Sequence, residues 1–317
     1  MKRMIVVRTA YAVVSLLVIS MLVFAATRAL PGDAAVVRLG KNATPEALRS
    51  FRQLFHLDDP IAKQYVDWLG DLLHGRLGVS FASGVGVGHI IGHQITNSLV
   101  LLLVSAIIGM PLAVALGVFT AVRRDRLADH ATSVVLLVIS ALPEFVLGIL
   151  LVSLLATNVV HVLPSVSPLD PSKSVFSQLN LLVLPALTLI LVVLPYVART
   201  VRVCMIEALD SDYVTWARLK GISERQVIVR HALPNIAGPV FQVIAQSLAY
   251  LAGGIVVIET VFQYPGIGEA FISAVQTRDI PVIQAIAMLL AAFYVVVNIL
   301  ADIGTVAMTP TMRKGTR

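Results

Sequence analysis

The sequence predicts an all-α, polytopic membrane protein with six transmembrane helices, and three observations predict it. Of its 317 residues, 57% are hydrophobic and only 13% are charged, against roughly 25% charged in an average soluble domain. The mean hydropathy is +0.88. Apolar runs of about 20 residues, each long enough for a hydrocarbon core of roughly 30 Å, recur along the whole chain. The same composition excludes a disordered chain. The single cysteine, Cys204, excludes an intrachain disulfide framework.

The apolar runs fall at 9–27, 96–122, 131–157, 181–198, 236–258 and 280–301. The third is interrupted by Glu144. Pro111, Pro143, Pro185 and Pro195 lie inside or at the ends of runs, where a bundle tolerates them if neighbours satisfy the freed carbonyls, so kinks are expected there. The first run, with its basic start, also has the outline of a cleaved signal peptide, but its apolar stretch is long for one. Between it and the second run the composition turns mixed, with a Gly-rich tract at Gly84, Gly86 and Gly88. We read residues 1–93 as a first transmembrane helix plus a small extracytoplasmic segment, 94–305 as a five-span core and 306–317 as a tail. In the extracytoplasmic segment, Thr44 as N-cap and Pro45 at the first helical position open an amphipathic helix carrying Leu48, Phe51, Leu54 and Phe55.

Orientation follows from the basic residues between spans. Fifteen of the 24 Lys and Arg lie on one side, in the N-terminal tail, the turn at Arg123, Arg124 and Arg126, the segment from Arg199 to Arg230, and the C-terminal tail. On the other side the short loops hold only Lys173 and Arg278. Both termini are expected in the cytoplasm. The net charge of +6 is explained by this asymmetry, which leaves membrane lipid and not nucleic acid as the partner of the charge.

No catalytic constellation emerges. His89 and His93 are four apart, but the Glu of a helical zinc motif is missing and no third ligand is near, so no metal site is expected. The glycines at 84, 86 and 88 lack the Lys-Ser/Thr of a phosphate loop and read as a flexible loop. The chain holds no Walker A sequence, so any ATPase driving it is another polypeptide. Glu144 is the sharpest oddity, because an ionisable group in mid-span costs roughly 2.5 kcal/mol or more without a partner or water. It is a candidate for the translocation path, and its rival reading is a carboxyl that satisfies backbone groups freed near Pro143. Glu259 and Asp302, at span ends, are expected to be solvated. Small residues four apart, Gly109, Ala113 and Gly117 on one span and Ala245, Ala249 and Gly253 on another, suit close helix packing, within the chain or at a subunit interface.

The segment between the fourth and fifth runs, 199–235, reads as two short helices. Tyr213, Trp216, Ala217 and Lys220 share a helical face, capped near Asp210 to Asp212 and stopped by Gly221 in a left-handed conformation. Ser223 and Gln226 form a capping-box pattern that opens a second helix bearing Val227, Ile228 and Leu233, with Glu224, Arg225 and Arg230 outward. A rigid polar hairpin of this kind can seat in a groove of another protein.

From Ala217 the chain gives Ala-x3-Gly221-x9-His231-x-Leu233-Pro234, which resembles the EAA loop of binding-protein-dependent ABC importer permeases. Thr215, Trp216 and His231 depart from the general pattern in the way of the dipeptide, oligopeptide and nickel branch, which includes the dipeptide permease B-type subunits and whose loops read like Tyr213-x-x-x-Ala217-Arg218-x-Lys220-Gly221 and Arg230-His-Ala-Leu. Pro31-Gly32-Asp33, Gly75 to Phe81, Glu259 to Gly268 and Arg278 to Pro281 also look like that branch. The resemblance implies a type I ABC importer permease fold in a bacterial inner membrane. It further implies a second homologous permease subunit, two ABC ATPase subunits that bind ATP and Mg, and an extracytoplasmic solute-binding protein. No cofactor is expected on this chain, and the expected cargo is a di- or oligopeptide. An ion-coupled secondary transporter is the main rival and an intramembrane enzyme the second.

Overall fold

A computed structural model describes residues 2–29, 34–40, 43–170 and 172–308. Helices follow one another as α1 (Lys2–Ala29), α2 (Ala34–Leu39), α3 (Pro45–Leu54), α4 (Ile61–Leu73), α5 (Val87–Val122), α6 (Leu127–Ala141), α7 (Glu144–Val152), α8 (Leu179–Leu209), α9 (Asp212–Leu219), α10 (Glu224–Gln226), α11 (Leu233–Asn235), α12 (Ala237–Val261), α13 (Ile267–Thr277) and α14 (Ile280–Met308). Among the described residues the one β feature is an isolated bridge between Val79 and Gly86. The protein is a polytopic α-helical membrane protein. Five helices, α1, α5, α8, α12 and α14, are long and apolar enough to cross a membrane.

The third apolar run is not one rod. It divides into α6 and α7, bent by 105°, because Leu142 precedes a proline and is driven to an extended conformation, φ −90° and ψ 133°. Pro111, Pro185 and Pro195, by contrast, lie inside continuous helices. The expected kinks thus concentrate into a break at Pro143.

The core is centred on α8, which packs along α5 on one side and against α12 on another, while α14 carries α12 and α1. The small residues of α5 explain the close approach: Ala113 is fully buried, and a Cβ on Gly117 would lie 2.6 Å from the Ala198 carbonyl oxygen of α8. On α12, Ala245 and Ala249 are buried, whereas Gly253 is exposed. Charge is handled at specific points. Arg202 of α8 reaches Asp129 of α6 with two bonds, of 2.8 and 2.7 Å, in a geometry that satisfies both carboxylate oxygens.

Two expectations are corrected. Glu259 is fully buried, not solvated. Its carboxylate accepts from Ser98 Oγ at 2.5 Å and from the Gly268 amide at 2.7 Å, at the start of α13, where free amides and the helix dipole favour an anion. Ser98 also accepts from the Ile267 amide at 2.8 Å. Asp302 is paired with Arg8 of α1, which joins the first span to the last.

At one end of the bundle α3, α4 and residues 74–86 form a cap. Thr44 caps α3, its Oγ1 accepting from the Ala47 amide at 3.3 Å, with Pro45 in the first turn. Phe51 and Phe55 stack with Phe81, and Phe24 of α1 packs against Tyr65 and Trp68 of α4. The Gly75 to Phe81 and Arg278 to Pro281 segments meet there: Asp279 accepts from the Ser80 hydroxyl, the Phe81 amide and the Ala82 amide. Pro31, Gly32 and Asp33 lie outside the described residues.

Candidate functional site

The end of the bundle opposite the cap carries the hairpin. Its first arm, α9, closes with the Gly221 amide on the Arg218 carbonyl at 2.9 Å and the Ile222 amide on the Ala217 carbonyl at 3.3 Å. That pair of bonds is a Schellman stop. It requires a left-handed residue, and Gly221 supplies it at φ +76°. Ile222 and Ala217 then meet in a small core with Val214, Val227 and Leu209.

Arg218 fastens the hairpin. Its Nε donates to Glu224 Oε1 at 2.7 Å, its Nη2 to Glu224 Oε2 at 3.3 Å, and its Nη1 to the carbonyl of Leu209, the last residue of α8, at 3.3 Å. One guanidinium therefore links both arms to the span before them. Arg124, after α5, pairs with Asp210 at 2.9 Å, which ties a second span to the same base.

The expected helical face is split. Ala217 turns inward beside Val214, whereas Tyr213, Trp216 and Lys220 face out, because positions three apart share a flank only when no neighbouring core claims one of them. Trp216 is 64% exposed and Leu219 72%. Arg230 and Pro234 are exposed, and His231 and Leu233 are half-buried. Ser223 occupies the N-cap position but makes no side-chain capping bond, so the Ser223–Gln226 box does not close. After α10 the second arm continues as a wide π-helical turn over Val227–Ala232. The sequence reading missed Val214 and the Arg218–Glu224 fork. The six-residue spacing of that pair crosses a turn, where helical periodicity gives no signal.

Glu144 lies at the break between α6 and α7, beside a cavity of about 580 Å³ that also receives Ser140, Tyr196, Arg199, Thr200 and Tyr250. Its Oε2 is buried without a hydrogen-bond partner. The carboxyl is seated against Gly254 of α12, where a Cβ would come within 2.6 Å of Oε2. Its Oε2 thus does none of the backbone satisfaction that the rival reading gave the carboxyl. His89 and His93 are exposed, and among the described residues no group of three His, Cys, Asp or Glu side chains could hold a metal.

Comparison with known proteins follows the same lines. Residues 113–314 match the family described as the binding-protein-dependent transport system inner membrane component, and residues 1–86 match its N-terminal membrane component. A putative peptide transport system permease protein of Brucella abortus is 34% identical over 313 residues, covering 99% of both chains. A probable peptide ABC transporter permease protein of Sinorhizobium fredii is 32% identical over 295 residues, 93% of this chain and 94% of that one. The oligopeptide transport system permease protein AppB of Bacillus subtilis is 31% identical over 299 residues, again 93% and 94% of the two chains. On these matches and on its helical architecture, the chain belongs to the binding-protein-dependent transport system inner membrane components.

Proposed function

We propose that this chain is the peptide-translocating permease subunit of an ATP-binding-cassette importer in a bacterial cytoplasmic membrane, with both termini in the cytoplasm. It works with a second, homologous permease, two ATPase subunits and an extracytoplasmic binding protein, and carries no catalytic residue of its own. The cargo class rests on relatives whose names specify peptide and oligopeptide transport. The observation that carries the coupling role is the hairpin. Arg218 and Glu224 bind each other across its two arms, while it holds out Tyr213 and Trp216, aromatic groups of the kind that anchor protein interfaces, with exposed Leu219 beside them.

In this reading ATP closes the partner ATPases, the hairpin follows them, and α8 and α12, which flank it, shift the spans between outward and inward access. The step is a two-state equilibrium biased by differential affinity. The test is uptake of labelled di- and oligopeptides by a strain lacking the subunit. The wild-type chain should restore uptake and Trp216→Glu should not, since a charge in the docking patch opposes burial. Full restoration by Trp216→Glu in a normally assembled complex would overturn the hairpin's role.

A further inference from the structure

Asp129, Glu144, Glu259 and Asp302 are four of the carboxylates in or at the ends of the spans, and the fold treats Glu144 differently. Asp129 is met by both arms of Arg202. Glu259 is met by a hydroxyl and a helix-end amide, and Asp302 by Arg8. Glu144 alone of the four keeps a buried oxygen without a partner. Across the same cavity Arg199 donates to the Ser140 hydroxyl at 2.5 Å and, among the described residues, forms no ion pair. A carboxyl and a guanidinium thus line one cavity and, among the described residues, form no ion pair with each other. In a span such charges are retained where water or a ligand completes them.

We propose that Glu144 and Arg199 form a transient subsite for a zwitterionic peptide, taking the α-ammonium at Glu144 and the α-carboxylate at Arg199; this rests on the peptide-permease reading above. The cavity volume, about 580 Å³, falls in the range that holds small ligands, roughly 300–1,000 Å³. Gly254 fixes the carboxyl by offering bare backbone at its back, where any side chain would displace it. Tyr250 of the same helix also lines the cavity, while the hydroxyls of Tyr196 and Thr200 on α8 donate to Gln246 and to the Tyr196 carbonyl and are left to act as acceptors toward peptide amides. Recognition of the two charged ends, common to all unmodified peptides, leaves side-chain choice to the binding protein.

The test is a cycle between protein and ligand. The complete complex of both permeases and both ATPases is placed in nanodiscs without nucleotide, and binding of trialanine and of N-acetyl-trialanine is measured for wild type and Glu144→Gln. Glu144→Gln and N-acetylation should each weaken binding by about tenfold, and the two together by no more than either alone. Arg199→Gln against C-terminally amidated trialanine gives an independent second cycle that does not need the Glu144 variant to assemble. Equal affinities of wild type and variants, strictly multiplicative losses, or no trialanine binding by wild type would overturn the subsite. Loss of the second permease from the Glu144→Gln complex would reveal an intersubunit ion pair and overturn it equally. Peptide uptake by the wild-type complex is followed in parallel: uptake without the coupling removes the subsite alone, and no uptake of any peptide removes the permease reading itself.

Discussion

Asp279 accepts a hydrogen bond from the Phe81 amide at 2.9 Å across almost two-thirds of the chain. The left-handed Arg278, at φ +53°, turns the backbone at the end of α13 so that the Asp279 amide reaches the Ala274 carbonyl at 2.8 Å. The side chain is thereby aimed at the cap, and the loop between the last two spans and the 74–86 segment become one piece.

Removing that carboxylate should loosen the cap. Asp279→Ala leaves the Ser80 hydroxyl and the amides of Phe81 and Ala82 without their acceptor, at about 1–3 kcal/mol for a buried unsatisfied group. Hydrogen exchange of the 75–86 amides should accelerate while that of α8 stays constant. Unchanged exchange in 75–86 would show that the cap is held by its aromatic contacts instead.

Gly221 separates conformation from space. A Cβ there meets nothing within 4 Å, yet φ is +76°. Gly221→Val should cost about 1–3 kcal/mol of local strain and uncouple uptake from ATP hydrolysis. Gly221→Asn, which tolerates the left-handed region, should retain most transport. Equal transport by the two variants would mean that the stop is not needed in its left-handed form.

The Asp129–Arg202 pair should behave as a buried unit. Asp129 is 2% exposed, so Arg202→Met leaves its carboxylate with only the Asp125 amide and the Ser133 hydroxyl as donors and should destabilise the complex by about 1–3 kcal/mol. Adding Asp129→Asn removes the stranded charge and should recover part of that loss. Thermal unfolding in nanodiscs reads both values, and a double variant no more stable than Arg202→Met would refute the pairing argument.

Topology is testable without purification. A reporter inserted in the 34–88 segment should be active outside the cytoplasm and one fused after Arg317 inside it. The opposite pattern would reverse the orientation drawn from the Lys and Arg distribution.

What could be read from sequence was whatever a local rule dictates. Thr44-Pro45 opens α3 as expected, Gly221 stops α9, and the small residues of α5 meet α8, because capping, positive φ and helical spacing act over a few residues. Glu259 was misread as solvated because its partner Ser98 is 161 residues away in sequence and hydropathy contains no information about such neighbours. The interruption of the third run at Pro143 and Glu144 is legible, but its size is not, because composition counts apolar residues without registering that Leu142, before Pro143, leaves the helix. For Glu144 the sequence showed the cost but neither the missing partner nor the proximity of Arg199.

In the proposed transport cycle, the close approach of Gly117 to Ala198 would let α8 act as a lever. Treated as a rod of 31 residues at 1.5 Å each, α8 is about 46 Å long, with this contact about 16 Å from the hairpin end and about 28 Å from the other. If the small-residue contact is the fulcrum, a sideways push of about 2 Å at the hairpin becomes about 3.5 Å at the capped end, in the opposite direction. A modest closure at one face of the membrane is then geared up into a wider opening at the other.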